Sequence, residues 1–500
     1  MTQVLERIDY ERLRELLPLK FSIDFLKKNK ICPISAEDGV LKVAISSFEG
    51  LKAAKSLGVE LNLEIEPVLA DEKEILNAIS WLYDAATKST LEEVEGLEEE
   101  KISLEELSER EDIITSEDSA PIIKLVNSII YQAIRERASD IHFEPYEREL
   151  RIRYRIDGIL YDRLNLPKKL HPPVISRIKV MSRLDIAEHF IPQDGRIGIK
   201  LADREIDIRV GILPTQFGER ATLRLLDKKQ GLITLDELGL DDEGIKKLRK
   251  LISKPYGIIL VTGPTGSGKT TTLYAILQEL RTPEVNIITI EDPVEYELEG
   301  ISQIQVNEKA GLTFASGLRS ILRHDPDIIM VGEIRDRETA EIAVQAALTG
   351  HLVLSTLHTN DAPSAITRLV EMGIEPYLVS SSVIGVIAQR LVRKICEKCR
   401  EAYEESPEAL EEMGLEKTAT VYRGRGCPHC LNTGYWGRTA LFEQLDFDED
   451  LRKALVRTQD ASVLRRLAIE KGMRTLKEDG IQKILKGITT LSEVMRVAGR

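Results

Sequence analysis

One segment of the chain joins a strand, a glycine-rich turn and a helix in a fixed order. Residues 257–277 read GIILVTGPTGSGKTTTLYAIL, in which an apolar run leads into G-x-x-x-x-G-K-T and then into helical spacing. Such a loop closes its backbone N–H groups around phosphates, and the helix N-terminus adds partial positive charge. The sequence therefore predicts an ATP-binding loop formed by Gly263, Pro264, Thr265, Gly266, Ser267, Gly268, Lys269 and Thr270.

Further apolar runs follow this loop and alternate with helical segments. Strand-like runs occupy residues 286–296, 325–336 and 351–361, and a helical pattern separates the last two. This alternation predicts a doubly wound parallel sheet, which binds its ligands at the carboxyl ends of the strands. Four polar side chains are expected at those ends: Glu291, Asp292, Glu333 and His358.

The run DPDIIMVGEIRD carries Gly332 where a magnesium-binding Asp is usually expected, and Glu333 follows directly. An acid just beyond a strand near the phosphate loop is well placed to orient or deprotonate the attacking water. We therefore predict that Glu333 is the catalytic base, with a helix cap as the structural alternative. Mg²⁺ is then expected to bind Thr270, phosphate oxygens and waters that Glu291 or Asp292 fix.

Two histidines flank the strand HLVLSTLH. His358 shares its end of the strand with Thr359, Asn360 and Asp361, all of which can contact a phosphate. We predict a role in sensing the γ-phosphate for both His358 and His351. The alternative for each is a hydrogen-bonded histidine of the core.

Length and charge limit the classes of function that the chain can have. Its 500 residues exceed a single core, so several domains are expected. The formal net charge of −14 repels phosphate backbones and argues against nucleic acid as a partner. No apolar run approaches the ~18–20 residues of a membrane span, and the N-terminus is too charged for a signal peptide. We therefore expect a cytoplasmic protein that reaches a membrane only through a partner.

The region before the phosphate loop divides by composition into three parts. Residues 1–88 indicate a small N-terminal α/β docking domain, and the acid-rich residues 89–118 indicate a linker. Residues 119–228 combine an amphipathic helix, alternating strands and a second helix over 174–190. Three arginines of RIRYR share one strand face, which is either solvated or meets an anion or an acidic partner: Arg151, Arg153 and Arg155.

The region after the motor motifs contains two C-x2-C pairs, Cys396 with Cys399 and Cys427 with Cys430. Four thiolates suit a closed tetrahedral zinc site with a structural role, and a redox pair is the alternative. We predict a zinc-binding tetracysteine subdomain over residues 391–440. A helical C-terminal subdomain is expected to follow.

These motifs together resemble the secretion ATPases of type II secretion systems and type IV pili. The resemblance covers roughly residues 118–500 and rests on the phosphate loop, TIEDPVEY, LRHDPDIIMVGEIRD, TGHLVLSTLHTNDA and the paired C-x2-C motifs. It implies an α/β protein with a RecA-like P-loop motor over 229–390, preceded by a PAS-like α+β domain over 119–228 and followed by a helical subdomain over 441–500. The sequence segments IKVMSRLDIAE and PQDGRI are more similar to type II secretion members than to pilus-extension members.

The resemblance also implies partners and further site residues. Members form homo-hexamers in which the domain before the motor closes over the nucleotide and supplies arginines, here Arg209 and Arg224. Gly211 departs from the Ser that relatives tend to have. The N-terminal domain would bind the cytoplasmic domain of an inner-membrane secretion platform, which makes membrane contact indirect or peripheral. The implied function is ATP hydrolysis that powers pseudopilus assembly and protein export, and the alternative is type IV pilus assembly.

Two other classes of function compete with this interpretation. A RecA-like nucleic-acid motor with a zinc ribbon would be stimulated by DNA or RNA, which the acidic net charge disfavours. A nucleotide-dependent scaffold would bind ATP without releasing phosphate.

Overall fold

The computed structural model describes residues 121–201, 204–227 and 233–498, together with a discontinuous part of residues 4–79. The predicted linker over 89–118 lies outside the described residues. The chain divides into two compact units, Met1–Lys229 and Gln230–Arg500.

The first unit begins with a small sheet. Its elements are β1 (Val4–Leu5), β2 (Ile31–Glu37), β3 (Val40–Ile45), α1 (Phe48–Leu61) and β4 (Glu64–Ala70). The strand order is β1-β4-β3-β2, and β3 and β4 are parallel because α1 crosses between them. In β3, Leu41 and Val43 are buried while Lys42 between them is exposed. Over residues 40–43 this alternation buries one face of the strand.

The first unit also contains a six-stranded sheet with two helices. The elements are α2 (Pro121–Arg135), β5 (Ala138–Pro145), β6 (Glu149–Ile156), β7 (Ile159–Pro167), α3 (His171–Met181), β8 (Gln193–Leu201), β9 (Arg204–Thr215) and β10 (Gly218–Asp227). Neighbouring strands are antiparallel, in the order β7-β6-β5-β10-β9-β8. Phe143, Tyr154 and Ile208 are fully buried in the core that the sheet shares with the two helices. The opposite face of the sheet carries charged side chains.

This sheet differs from the sequence prediction in two details. Helix α3 ends at Met181 and does not continue to residue 190, because Ser182 Oγ donates to the Ile178 carbonyl oxygen at 2.6 Å and Arg183 has φ 58°. The chain then forms β8, an element absent from the sequence prediction. Ile197 and Ile199 in β8 are buried and alternate with exposed positions, which is the pattern of a half-buried strand.

The second unit is built on a seven-stranded sheet. Its strands, with two shorter ones beside them, are β11 (Gly257–Thr262), β12 (Ile287–Glu291), β13 (Ser302–Gln305), β14 (Ile328–Val331), β15 (Leu352–Leu357), β16 (Val383–Ile395), β17 (Arg400–Tyr403), β18 (Val421–Gly424) and β19 (Tyr435–Asp446). The order is β13-β12-β14-β15-β11-β16-β19, and only β19 is antiparallel to its neighbour. The predicted doubly wound parallel sheet is confirmed, and β11 lies inside it between β15 and β16.

Helices cover both faces of this sheet. They are α4 (Asp242–Ile252), α5 (Lys269–Leu280), α6 (Phe314–Ile321), α7 (Arg337–Leu348), α8 (Ala362–Glu371), α9 (Pro376–Ser382), α10 (Pro407–Met413), α11 (Glu449–Arg457), α12 (Ala461–Glu470), α13 (Leu476–Leu485) and α14 (Leu491–Ala498). One core joins α4 and α5 to β11 through Ile259 and Val261. Another joins α7 and α8 to the same strand through Ile258 and Leu260. Alternate residues of β11 therefore face two separate helix layers.

Strands β16 and β19 extend the sheet beyond the predicted motor. β16 crosses the predicted boundary at residues 390 and 391 and leads directly to Cys396. β19 occupies the first residues of the predicted helical subdomain over 441–500. The helices of that subdomain therefore begin only at Glu449. In the described part of the chain, no helix combines the length and the apolar character that crossing a membrane requires.

Candidate nucleotide-binding site

The phosphate loop connects β11 to α5 at the carboxyl edge of the sheet. Gly263 and Gly268 have φ of 152° and 88°, which glycine adopts without a steric penalty. A Cβ on Gly263 would lie 2.6 Å from the carbonyl oxygen of Gln389 in β16, so the backbone passes too close for a side chain. Because Gly268 caps α5 without a side chain, the first N–H groups of the helix can bind a phosphate.

Lys269 folds back over this loop. Its Nζ donates to the carbonyl oxygens of Gly263 and Pro264 at 2.9 and 3.1 Å. Burial lowers the pKa of Lys269, while the negative charge of Glu333 acts in the opposite direction. Thr270, in the next position, is exposed. The lysine thus lies where it can reach phosphates, with a carboxylate within electrostatic range.

Gln389 is a residue of this site that sequence reasoning missed. Its side chain is buried, Nε2 donates to the Ser267 carbonyl oxygen at 2.7 Å, and Oε1 accepts from Thr272 Oγ1 at 2.8 Å. The phosphate loop is therefore fastened from β16, more than a hundred residues further along the chain.

Glu333 lies beyond the end of β14, and the structure groups it with Arg335 and His358. The Glu333 side chain is 15% exposed and forms an ion pair with Arg335. His358 Nε2 lies 3.5 Å from the other carboxylate oxygen of Glu333. Since β15 lies between β14 and β11, Glu333 is two strands away from the phosphate loop and His358 stands on the strand between them.

The acidic pair after β12 has two different environments. The buried carboxylate of Glu291 accepts hydrogen bonds from Tyr274, from Thr289 Oγ1 at 2.6 Å and from Gln303 Nε2 at 3.1 Å. Burial, followed by the Glu291 carboxylate, raises the pKa of Tyr274, so the phenol remains a donor. Asp292 is exposed. Asp292 is thus the acid of this pair that is open to solvent, whereas Glu291 holds the end of β12.

The structure does not bring His351 to this edge. His351 precedes β15, its Nδ1 lies 2.8 Å from the Ala346 carbonyl oxygen, and its own carbonyl accepts from Gly257 N at the start of β11. These contacts place it at the amino ends of the parallel strands. The seven residue steps from His351 to His358 span about 23 Å in a strand. Within one motor, this position argues against phosphate sensing by His351 and fits the structural alternative.

Arg209 and Arg224 lie together in a cleft of about 430 Å³ on the charged face of the six-stranded sheet. The strand register places Arg209 opposite Arg224 on one side and opposite Arg196 on the other. Like charges that face each other across strands are unfavourable without an anion or a carboxylate between them. Arg224 Nε donates to Asp140 Oδ1 at 3.0 Å, but Arg155 approaches the same carboxylate at 3.6 Å. Arg196 and Asp194 join the two predicted arginines in the lining, so the cleft has three guanidinium groups and one carboxylate and suits an anionic ligand.

The arginine stripe of RIRYR is paired with acids. Arg153 forms a bidentate pair with Glu144, both distances being 2.8 Å, and Arg151 pairs with Glu149. Arg155 shares Asp140 with Arg224. These pairs favour a charge-balanced face over an open anion site at the stripe itself.

The four cysteines meet at the end of β16. The Sγ atoms of Cys396 and Cys427 lie 3.9 Å apart, those of Cys399 and Cys430 3.8 Å, and those of Cys427 and Cys430 3.7 Å. All four sulfurs lie within 4.8 Å of one another. A tetrahedral zinc ion with Zn–S of about 2.3 Å needs sulfurs about 3.8 Å apart. The geometry of this four-cysteine cluster is compatible with zinc.

A phosphate loop at the carboxyl edge of a parallel sheet, with an acid and a histidine on the next strands, defines a RecA-like P-loop nucleotide hydrolase. Residues 115–496 match the family model described as Type II/IV secretion system protein, and residues 3–89 match the MshEN domain. The chain belongs to the Type II/IV secretion system protein family. The family predicted from the motifs is confirmed.

Similar proteins agree with this assignment. The chain is 52% identical over 423 residues to a type II secretion system protein E of Pseudomonas aeruginosa, which covers 84% of each protein. It is similar in structure to the ATPase DotB of Legionella pneumophila, with a TM-score of 0.57, 25% identity and coverage of 75% of this chain and 96% of that one. The pilus retraction motor PilT with bound ADP gives a TM-score of 0.51 and 29% identity over 74% of this chain and 96% of that one. With its phosphate loop, the chain is an ATP-hydrolysing enzyme.

Proposed function

We propose that this chain is a hexameric ATPase that powers pseudopilus assembly and protein export in a type II secretion system. The proposal of ATP hydrolysis rests on one observation. Lys269, Glu333 and His358 lie together at one edge of the motor sheet. The type II assignment is supported by the 52% identity to a protein of such a system.

The phosphate loop binds the triphosphate through the first N–H groups of α5, and Lys269 contacts the β- and γ-phosphates. To do so, Nζ exchanges the Gly263 and Pro264 carbonyls for phosphate oxygens. Thr270 and waters held by Asp292 would hold Mg²⁺, which neutralises phosphate charge when bound. These donors fit a hard cation because they are exposed oxygen ligands at the same strand edge.

Glu333 accepts a proton from the attacking water or orients that water. Arg335 forms an ion pair with Glu333 and so places a positive charge beside this carboxylate. Arg335 occupies one carboxylate oxygen, and the remaining lone pairs of the carboxylate can accept from water. His358 next to the second oxygen links Glu333 to the loop that contains Asn360. Glu333 and His358 therefore act as one unit at the γ-phosphate.

Charge that develops on the phosphoryl group needs cationic partners beyond Lys269. Three arginines and one carboxylate line the arginine cleft, Arg196, Arg209, Arg224 and Asp194, so its side chains carry a net positive charge. We assign Arg209 and Arg224 to the phosphates in the assembled hexamer. In this proposal the isolated chain hydrolyses ATP slowly, and assembly completes the site.

The four-cysteine cluster binds zinc as a structural ion. All four ligands are sulfur and three of the cysteines are buried, which leaves no place for a catalytic water. The MshEN domain over residues 3–89 docks the motor onto the cytoplasmic domain of an inner-membrane platform protein. Membrane contact is then peripheral.

Phosphate release by the full chain, with and without the cytoplasmic part of the platform protein, tests this function. We expect release that rises on adding the partner, together with a six-fold mass in the presence of ATP. A full chain that assembles and binds ATP but releases no phosphate would instead be a scaffold. If the chain restores pilus extension and not secretion to the matching deletion strains, the output assignment is wrong and the ATPase assignment stands.

A further inference from the structure

Strand β16 reaches the phosphate loop at the level of its first glycine. Ala388 pairs with Thr262, the last residue of β11, so Gln389 is the first residue of β16 beyond that pair. The Gln389 side chain is 1% exposed and points into the space below the loop. A Cβ on Gly268 would lie 3.0 Å from Gln389 Nε2. Backbone and side chain of Gln389 therefore both limit where the loop can lie.

The amide of Gln389 uses its donor and its acceptor on two parts of the same motif. Nε2 donates to Ser267 O in the loop, and Oε1 accepts from Thr272 Oγ1 in the first turn of α5. Glutamate has no donor for Ser267 O, and asparagine is one methylene shorter. All three groups are buried, so a lost partner leaves an unsatisfied polar atom at a cost of about 1–3 kcal/mol.

The next residue, Arg390, reaches a different loop. Its guanidinium donates to Asn360 O at 2.9 Å and lies 3.3 Å from Asn360 Oδ1. Asn360 stands two residues after His358. Burial lowers the pKa of Arg390, and its positive charge in turn lowers the pKa of Lys269. Arg390 is therefore close to the phosphate site while it holds the histidine loop.

We propose that Gln389 and Arg390 are positioning residues, which hold the phosphate loop and the loop after β15 in register so that Lys269 and His358 face the same phosphate. Because consecutive strand residues point to opposite faces, one dipeptide reaches both loops. Neither residue contacts the reacting atoms in this proposal. The inference rests on the proposed ATP hydrolysis at this site.

Full-length Gln389→Met keeps the volume of the side chain and removes both hydrogen bonds. We expect kcat for phosphate release to fall about 10- to 100-fold, as small misplacements of reacting groups do. Gln444→Met is the matched control, because Gln444 lies on the paired strand β19 and donates to Gly244 O away from the loop. The control is expected to keep its kcat within about twofold at a temperature where both variants are folded. A wild-type kcat for folded Gln389→Met overturns the proposal.

Two further variants keep the test decisive if Gln389→Met does not fold. Thr272→Val is nearly isosteric and removes one of the two hydrogen bonds, so a smaller loss of kcat is expected, and an unchanged kcat contradicts the proposal. Arg390→Gln should lower kcat more than it raises the Kd for ADP. A larger effect on the Kd shows instead that Arg390 binds phosphate directly. Lys269→Ala, measured in parallel, distinguishes a failure of the positioning proposal from a failure of the proposed function. Full turnover in that variant refutes the proposed function itself.

Discussion

We propose separate tasks for Lys269 and Glu333, which lie at the same edge of the sheet. Lys269 touches the loop that binds the triphosphate, whereas Glu333 is held by Arg335 and His358 beyond the end of β14. In the proposed function, Lys269 serves binding and Glu333 serves the reaction of water. Substitutions at the two positions are expected to give different kinetic signatures.

Glu333→Gln should bind ATP with near wild-type affinity and lose phosphate release about 10²- to 10⁴-fold, since it removes the base and keeps the shape. Lys269→Ala should lose affinity for ATP because the phosphates lose their cation. Equilibrium ATP binding and phosphate release by the same preparations measure the two effects. Glu341→Gln, an exposed acid on α7, is the control and should change neither. Equal loss of binding in both site variants would contradict this division of roles.

Glu493 gives a prediction about stability and pH. Burial alone would raise its pKa, but hydrogen bonds from Arg496 and Arg393 outweigh burial and lower the pKa to about 2 from an ordinary value of 4.5. A depressed pKa contributes stability that is complete above about pH 4.5 and is lost as the pH falls toward 2. Glu493→Gln should therefore lower the free energy of unfolding by about 1–3 kcal/mol at pH 7.

Chemical denaturation of Glu493→Gln and the wild type at pH 7 and at pH 3 measures this effect. The difference between the two proteins should shrink at pH 3. The control is Glu449→Gln, whose exposed pair with Lys453 should contribute under about 1 kcal/mol at either pH. A difference that does not change with pH would mean that packing, and not the carboxylate charge, sets the effect.

At the scale of single elements, the three strands β8, β9 and β10 form the arginine cleft by register alone. Arg196→Gln should lower phosphate release by about tenfold or more, because it removes one of the three arginines that line the cleft proposed to contact the phosphates. Arg151→Gln is the matched control, since Arg151 pairs with Glu149 on β6 outside the cleft. Steady-state phosphate release by the assembled protein, measured for both variants, tests this prediction. Equal activity of both variants would remove Arg196 from the site.

The four-cysteine cluster follows β16 directly. Cys430→Ser should lower the zinc content of the purified chain and speed proteolysis within residues 396–430, since a three-sulfur site closes less well. Zinc content by mass spectrometry and limited proteolysis measure this. Cys32→Ala, which changes a buried cysteine of the N-terminal sheet, should leave zinc content unchanged. Normal zinc content in Cys430→Ser would exclude the tetracysteine site.

The sequence predicts local parts of this molecule well and its long-range contacts poorly. The phosphate loop, β14 and β15 follow from short apolar runs and a nearby motif. Gln389 could not be found in that way, because its contact with the phosphate loop depends on the pairing of β11 with β16, which lie more than a hundred residues apart in the chain. The position of His351 could be predicted from the sequence, since a residue that precedes a parallel strand lies at the amino end of that strand. In β8, the spacing of Ile197 and Ile199 is a strand signal beyond the predicted helix of residues 174–190, and the sequence prediction did not use it.

At the scale of the whole molecule, the proposed hexamer predicts how subunits influence one another. Mixing Glu333→Gln chains with wild type at equal amounts should lower phosphate release to well below half of the wild-type value, because a stalled site holds its neighbours in a ring. As a control, wild-type chains are mixed with Lys269→Ala chains, which are expected to bind ATP poorly. Release measured over a range of mixing ratios gives the dependence. A strictly linear decline would mean that the sites turn over independently.

Strand β16 has a mechanical consequence. From Gln389 below the phosphate loop it continues to Cys396, seven residue steps or about 23 Å of extended chain. Its pairing with β19 shifts register only near Arg393 and Ile395. An extended backbone stretches little, so we expect tension applied at the cysteines to reach the phosphate loop. A motor built in this way is expected to slow or speed its fuel consumption according to the load that it pulls.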